Sequence, residues 1–384
     1  MSRDLLMFGE DWGGLPSSTQ HLAKALLAGG DRILWVNSLG LRRPRLTDGR
    51  RLLTKLAAAT RARAPAPVST GPRPHRILAP VAPPVPRPGF ERAVAGRWLA
   101  RQIRRALLES NLAARPIFWT SLPTATPVLD HLSVSATVYY CCDDFGALEG
   151  VDHAAVTTYE EELAHRADLI LVSSPDLAVK FPNAKTRVVL HGADTEMFGT
   201  PQPCPDDVPT DRPTVGFYGS LAGWIDWDWL GALARLLPDW EVQLIGPTKP
   251  ESAQALARLA KLPNVRLLGP RPHAALPAYV QAWTAALLPF RDTAQIQACN
   301  PLKLREYLSA GTPCIATDFP AARAYSPEAH IARSVTDAAA YLRSLQNLPA
   351  DQAVRAAQAR QHRVAGESWA ARAAMIRTYL DALQ

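Results

Sequence analysis

Short apolar segments alternate with helical stretches along most of the chain, and this alternation constrains the fold more than any other feature. Five segments of the first half are predicted strands: Leu5–Phe8, Ile33–Val36, Ile117–Trp119, Thr137–Cys141 and Leu169–Val172. Five more follow in the second half: Thr214–Tyr218, Val242–Ile245, Val265–Leu267, Ala285–Pro289 and Cys314–Thr317. Strands that alternate with helices form parallel sheets covered by helices. The sequence therefore predicts an α/β fold.

A segment rich in proline and poor in large apolar residues, residues 199–213, separates the two series and is predicted to be a linker. A chain of 384 residues is too long for one ordinary core. We therefore expect two Rossmann-like domains, residues 1–198 and 214–364, whose parallel sheets face across a ligand-binding cleft. Residues 365–384 are expected to form a helix that packs back on the N-terminal domain.

Composition narrows the class of protein. Hydrophobic residues make up 47% and charged residues 20%, which is typical of a globular chain. No apolar stretch reaches the roughly 18 residues that span a bilayer, and the N-terminus lacks a signal-peptide layout. The five cysteines are an odd number without paired metal-type spacing, which indicates reduced thiols in the cytoplasm. We expect neither a metal site nor a cofactor.

The segment from residue 300 to residue 313 is predicted to form a short, well-delimited helix. Asn300 is a suitable N-cap, followed by proline at the first helical position, and Gly311 is suited to end the helix in a left-handed turn. Lys303 and Glu306 are three residues apart and share a face. A lysine near a helix N-terminus favours a phosphate, and a carboxylate can accept hydrogen bonds from sugar hydroxyls. The alternative is a surface Lys–Glu pair on an ordinary helix.

This segment resembles the donor-binding motif of group-1 (family 4-like) glycosyltransferases with the GT-B fold, in which a Pro-x-Lys-x-x-Glu-Tyr-x-x-x-Gly-x-Pro run binds the nucleotide diphosphate and ribose. The resemblance implies that Lys303 faces the diphosphate and Glu306 the ribose, with Asn300 and Leu302 beside the donor. Retaining members usually carry a second glutamate eight positions before the first, where this chain has Ala298.

Other segments resemble the same class more weakly. The run from Val215 to Ser220 is similar to the glycine turn that opens the donor domain, which implies that Gly219 and Ser220 lie at the donor phosphates. Arg291 ends a short run that leads to the main motif, and the resemblance implies a donor contact for it as well. The chain also resembles teichuronic-acid-type transferases and the glucuronosyltransferase of xanthan assembly, in which an acidic pair follows the strand equivalent to Thr137–Cys141.

Asp143 and Asp144 form such a pair at the carboxyl end of a predicted strand, where active-site groups gather in open α/β sheets. Sugar transfer with inversion needs a general base to take the acceptor proton. Adjacent side chains cannot both point the same way from a strand, so at most one of the two is expected to be catalytic, and the sequence does not choose between them. The alternative is an Asx-turn that caps the next segment.

The loop after the first predicted strand is a second candidate. Gly13 and Gly14 allow tight turning, and Ser17 can cap the following helix. The spacing is not that of a dinucleotide fingerprint. In the GT-B class the equivalent loop touches donor phosphate or acceptor, which implies such a contact here, with Asp11 as the reserve candidate for the base. The alternative is a capped helix start without a ligand.

The net charge of +7 is unevenly distributed along the sequence, because the segment from Leu41 to Ile77 contains ten arginines and lysines but only one aspartate. A basic segment beside leucines, followed by proline-rich sequence, is typical of a membrane-surface contact. We therefore predict a membrane-facing insert near residues 41–89. A solvated basic face and a nucleic-acid contact are the alternatives. Without a recognisable nucleic-acid module, we expect no nucleic-acid partner.

Together these features predict a metal-independent glycosyltransferase whose donor is a nucleotide-diphosphate sugar, UDP-linked by preference. Its acceptor is expected to be a glycolipid or growing polysaccharide at the cytoplasmic face of the inner membrane, in exopolysaccharide or cell-envelope glycan synthesis. Ala298 keeps open a non-catalytic nucleotide- or sugar-binding protein of the same fold, and a same-fold epimerase is a further alternative.

Overall fold

The computed structural model describes residues 2–14, 17–41, 71–83, 85–146 and 151–383. The chain divides into two compact units. The first comprises Met1–Leu190 with Arg372–Gln384, and the second comprises His191–Ala371. Each described unit is built on one parallel sheet with helices on it, as the alternation of strands and helices predicts.

The described part of the first unit contains seven strands: β1 (Asp4–Phe8), β2 (Arg32–Val36), β3 (Arg76–Leu78), β4 (Ile117–Thr120), β5 (Ala136–Cys141), β6 (Leu169–Val172) and β7 (Thr186–Val188). Their spatial order is β3-β2-β1-β4-β5-β6-β7. Leu5 in β1 pairs with Ile33 on one side and Ile117 on the other. The order therefore reverses direction between β1 and β4, as in a Rossmann fold. Its helices are α1 (Ser18–Ala28), α2 (Phe90–Glu109), α3 (His153–Arg166) and α4 (Pro175–Ala178).

The second unit repeats this arrangement. Its strands are β8 (Thr214–Tyr218), β9 (Glu241–Ile245), β10 (Val265–Gly269), β11 (Ala285–Leu288), β12 (Cys314–Ala316) and β13 (Ala329–Ile331), in the order β10-β9-β8-β11-β12-β13. Its helices are α5 (Thr195–Gly199), α6 (Trp227–Leu236), α7 (Ala253–Leu259), α8 (Leu276–Ala282), α9 (Ala294–Ala298), α10 (Leu302–Ser309), α11 (Pro320–Arg323), α12 (Val335–Gln346) and α13 (Ala350–Val364). A last helix, α14 (Trp369–Asp381), begins here and ends in the first unit. The order again reverses, between β8 and β11.

All ten predicted strands are present. Nine of them are inner strands, which are covered on both faces and show up as continuous apolar runs, whereas the tenth, β10, lies at an edge of its sheet. Three short edge strands, β3, β7 and β13, were not predicted. Each has only three residues and at least two of them are not buried, so no apolar run marks it. Arg76–Leu78 overlaps the end of the basic segment Leu41–Ile77, in which the sequence analysis placed no strand. Residues 42–70 of the same segment lie outside the described residues.

The proline-rich residues 199–213 lie inside the second unit. The carboxylate of Asp207 accepts hydrogen bonds from Arg271 at 2.9 Å and from the Tyr279 hydroxyl at 3.0 Å, and Val208 is buried.

At the other end of the chain, the Arg377 guanidinium donates to Asp31 Oδ2 at 3.0 Å and to the Leu26 carbonyl at 2.8 Å. Among the described residues, no helix is long and apolar enough to cross a membrane.

Candidate functional site

A glycine turn follows β8 at the point where the strand order of the second unit reverses. Gly219 has φ +140°, and a Cβ there would lie 2.5 Å from Lys303 Cε and 3.1 Å from its Nζ. Gly246, after β9, has φ +143°, and its Cβ would lie 1.8 Å from the Gly219 carbonyl oxygen. Both positions therefore need glycine for the turn to pack under the lysine. The structure brings together Gly219 and Lys303, two residues that the sequence assigned to the donor, and it adds Gly246.

The Lys303 ammonium lies partly buried, 6.0 Å from the centre of the Tyr218 ring. Burial lowers the pKa of Lys303, and the negative charge of Glu306 opposes this effect. In the described part of the chain no carboxylate lies within ion-pair distance of this ammonium. Since a partly buried cation without a counter-ion is costly, this position is suited to bind an anion.

Glu306 is fully buried, and both of its carboxylate oxygens contact protein groups. Oε2 accepts a hydrogen bond from the Tyr218 hydroxyl, and Oε1 lies 3.3 Å from His273 Nε2. Burial, together with the charge of Glu306, raises the pKa of Tyr218. A ribose contact therefore requires a local movement of Glu306 or of His273, whose side chain is 21% exposed. The sequence did not single out His273, since it lies 33 residues before its partner.

The helix that carries Lys303 begins at Leu302, with Pro301 at the N-cap position and no side-chain cap. The predicted N-cap role of Asn300 is therefore wrong. Its Oδ1 instead accepts a hydrogen bond from the Arg305 guanidinium at 2.5 Å. Arg305 is fully buried and also donates to Glu367 at 2.6 Å. This pair ties α10 to the start of α14 across 62 residues of sequence.

The other predicted donor residues lie at the same edge of this sheet. Ser220 follows Gly219 and is partly buried, as is Leu302 at the start of α10. Arg291 is exposed, and its guanidinium donates to the Gly223 carbonyl at 3.3 Å. The predicted left-handed end of α10 is confirmed, because Gly311 has φ +76°.

In the first unit, the two acidic residues after β5 have different surroundings. Asp144 Oδ1 accepts hydrogen bonds from Lys180 Nζ at 2.7 Å and from the Gly146 backbone N–H at 3.0 Å. Lys180 also lies 3.2 Å from the buried carboxylate of Glu160, which accepts a hydrogen bond from Tyr139 at 2.6 Å. Asp144 therefore closes an Asx-turn and an ion pair, as the capping alternative expects.

Asp143, by contrast, is exposed to solvent. Surrounding protein atoms that limit its hydration and the negative charges of Glu10 and Asp144 together raise its pKa to about 6. Because Asp143 is exposed, the negative charges of Glu10 and Asp144 explain its raised pKa better than loss of hydration does. Among the two candidates for a base, Asp143 is the one whose side chain is not used by the Lys180 ion pair.

The loop after β1 forms the turn that its glycines predict. Gly13 has φ +80°, and the Gly14 N–H donates to the Asp11 carbonyl at 3.0 Å. Ser17 caps α1 as predicted, accepting from the Gln20 N–H at 3.3 Å, and its hydroxyl donates to Glu10 at 2.7 Å. The Asp11 residue is exposed. Each of these contacts is made within the protein.

The sequence of the second unit is similar to a known family. Residues 212–351 match the family model described as Glycosyl transferases group 1. This segment is therefore similar to group 1 glycosyltransferases. A Bacillus subtilis (strain 168) protein described as a putative teichuronic acid biosynthesis glycosyltransferase, TuaH, is 27% identical to this chain over 224 residues, covering 54% of this chain and 56% of that protein. The match thus spans about half the length of this curated relative.

Solved structures extend the similarity over both units of the chain. A glycosyltransferase from Rickettsia africae ESF-5 aligns with a TM-score of 0.68 at 13% identity, covering 100% of this chain and 98% of that one. The Anabaena protein HepE in complex with UDP-glucose aligns with a TM-score of 0.68 at 15% identity, covering 99% of this chain and 100% of that one. At this identity the similarity shows the fold, which is GT-B, as predicted.

Proposed function

We propose that this chain is a glycosyltransferase that takes its sugar from a nucleotide-diphosphate sugar, with UDP as the nucleotide. The observation that carries the proposal is the partly buried Lys303 ammonium over the turn at Gly219, with no carboxylate in ion-pair distance among the described residues. This turn lies where the strand order reverses, which is where open α/β sheets bind ligands. The complex of the GT-B neighbour HepE with UDP-glucose supports the choice of donor.

In this proposal the second unit stabilises the leaving group. Lys303 and the N-terminus of α10 neutralise the diphosphate as its charge grows, and backbone N–H groups after Gly219 add hydrogen bonds. Glu306 binds the ribose hydroxyls after exchanging its contact with His273, while Tyr218 holds its other oxygen. Lys303 and the N-terminus of α10 supply the positive charge that a metal ion would otherwise supply. We therefore expect turnover to persist in the presence of a chelator.

The proposed general base is Asp143, because Asp144 is held by Lys180 and the Gly146 N–H. A base works best when its pKa lies near the operating pH, and the raised pKa of Asp143 fits this role. Asp11 remains the reserve candidate. With a base and with Ala298 in place of the second glutamate, we expect inversion at the anomeric carbon. Proton NMR of the product should show a changed anomeric coupling relative to the donor, and retention would return Asp143 to a structural role.

The proposed acceptor is a lipid-linked sugar or growing polysaccharide at the cytoplasmic face of the inner membrane, in exopolysaccharide or cell-envelope glycan synthesis. Two observations support it. The sequence between Leu41 and Ile77 is strongly basic, and the relative TuaH is described as acting in teichuronic acid biosynthesis.

The test measures release of UDP from a panel of UDP-sugars, with and without a membrane extract as acceptor, and UDP affinity by calorimetry. Lys303→Ala should weaken UDP binding by about 1.5–3 kcal/mol, the range for charge-assisted hydrogen bonds. Lys261→Ala, which removes an exposed lysine of the same unit, is the matched control and should bind UDP normally. Equal affinities in the two variants would overturn the donor assignment.

A second candidate function is that of a non-catalytic binding protein. The presence of Ala298 favours this function, because alanine offers no carboxylate to the donor sugar. This candidate predicts UDP-sugar binding that depends on Lys303, without UDP release under any acceptor condition. UDP release that is stimulated by membrane extract would exclude it.

A further inference from the structure

The helix α2 exposes a row of large apolar side chains. Phe90, Val94 and Trp98 are 86%, 48% and 55% exposed, and their spacing of four residues places them on one face. The opposite face packs into the core of the first unit through Leu99 and Ile103. The helix is therefore apolar on both sides over its first half, and only one of these sides is covered by the described part of the unit.

A neighbouring segment widens this row. The Gln102 side chain donates to the Val81 carbonyl and accepts from the Val81 N–H, both at 3.1 Å. Val81 is 51% exposed. We call the four exposed apolar residues Val81, Phe90, Val94 and Trp98 the α2 patch.

Basic side chains accompany the α2 patch. Arg97 and Arg101 are exposed and lie on the same face of α2, because they are spaced four apart and flank Trp98. In the described part of the chain, neither forms an ion pair. The carboxylate of Glu109, further along the helix, is already paired with Arg105 at 2.6 Å and Arg76 at 2.5 Å. The face thus combines bulky apolar groups with two arginines, and one exposed carboxylate, Glu91, lies in the first turn of the same helix.

We propose that the α2 patch, with Arg97 and Arg101, docks onto an anionic lipid bilayer. Tryptophan and phenylalanine are favoured at the boundary between headgroups and acyl chains, and arginine interacts with anionic headgroups. A helix with apolar and basic groups on its exposed face lies in the plane of that boundary. The proposal names a surface for the membrane contact proposed above, but it does not rest on the transferase activity, since docking needs neither donor nor acceptor.

The test measures co-flotation of the full-length protein with vesicles of phosphatidylcholine, with and without phosphatidylglycerol. The double variant Phe90→Ser/Trp98→Ser should lose more than about tenfold in partitioning, because two large apolar side chains no longer enter the bilayer. Arg97→Ser and Arg101→Ser should each lose about fivefold, on the anionic vesicles only.

Matched controls come from the second unit. Val354, in α13, is 57% exposed and Arg258, in α7, is exposed, so Val354→Ser and Arg258→Ser should leave partitioning unchanged. If the double variant unfolds at a lower temperature than the wild type, vesicle partitioning of Val94→Ser is compared instead with that of its control, Val354→Ser, because a single valine-to-serine change is the smallest of these substitutions. Unchanged thermal unfolding of a variant that no longer floats supports the proposal.

Three results would overturn it. The first is absence of vesicle binding by the unmodified protein. The second is undiminished vesicle binding by both the double variant and Val94→Ser. Loss of binding only in a variant in which Arg42, Arg43, Arg50 and Arg51 are replaced by serine would be such a result. The third is a concentration-dependent dimer, seen by sedimentation, that Phe90→Ser/Trp98→Ser abolishes without any effect on vesicles, which would make the α2 patch an interface between copies.

Discussion

Substitution of Gly219 by alanine tests the donor site where its geometry is tightest. The new methyl group would lie 2.5 Å from Lys303 Cε and 3.3 Å from the Phe217 ring. Carbon atoms in contact prefer about 3.5–4.0 Å, so something must move by roughly 1 Å. The lysine is the flexible partner, whereas the ring belongs to the core strand β8. We therefore expect Gly219→Ala to displace the Lys303 side chain.

Two free-energy changes follow from this geometry. A non-glycine residue at φ +140° is strained by about 1–3 kcal/mol, which lowers the free energy of unfolding of the second unit. Displacement of Lys303 weakens UDP binding by a part of the loss expected for Lys303→Ala, which is about 1.5–3 kcal/mol. Because both substitutions disturb one contact, their effects on affinity should not add.

Calorimetry of UDP binding to the two single variants and the double variant measures this coupling. The loss in the double variant should be smaller than the sum of the single losses by more than about 0.5 kcal/mol. The control is Gly231→Ala in α6, where a Cβ would make only ordinary contacts at 3.5 Å. Alanine in a helix should leave affinity unchanged and raise stability by up to about 1 kcal/mol. Additive losses, or normal affinity in a folded Gly219→Ala variant, would refute the reasoning.

Three further predictions concern the acidic groups and their partners. Asp143→Asn should lower turnover by a factor of about 10²–10⁴. Because a base acts only when it is deprotonated, kcat/KM of the wild type should rise with pH through about 6, the raised pKa of Asp143. The variant should lack this rise. Lys180→Met should shift the rise to higher pH, since Asp144 then keeps an unpaired negative charge beside Asp143; an unmoved profile would contradict this. Glu367→Gln should leave the buried Arg305 charge without its carboxylate and destabilise the protein by about 3 kcal/mol in denaturant titrations.

The sequence predicts the fold because the inner strands of both sheets are covered on two faces and need unbroken apolar runs. Leu5–Phe8 and Leu169–Val172, for example, are fully or almost fully buried and consist of apolar residues alone. Local turn chemistry was equally readable, since Gly311 adopts the left-handed conformation that ends α10 and Ser17 caps α1. The edge strand Arg76–Leu78 has no such pattern, because none of its three residues is buried.

The partners of the candidate site could not be read in the same way, since they come from distant parts of the chain. Gly246 packs against Gly219 only because parallel neighbours β8 and β9 end at one edge. The contact of His273 with Glu306 depends on the turn after β10. Asn300 was misassigned because a local capping rule competes with Arg305, a buried cation whose need for an acceptor is stronger than that of a helix N–H.

Two separate observations bear on how the sugar is transferred, and both imply the same outcome. Ala298 ends α9 with a methyl group, and the amide of the neighbouring Gln297 donates to Asp292 at 2.8 Å. The position where retaining members carry a glutamate thus has no carboxylate in this chain. In the first unit, Lys180 holds Asp144 and leaves the neighbouring Asp143 exposed with a raised pKa. A chain that lacks a carboxylate at the sugar but keeps one suited to take a proton fits inversion better than retention.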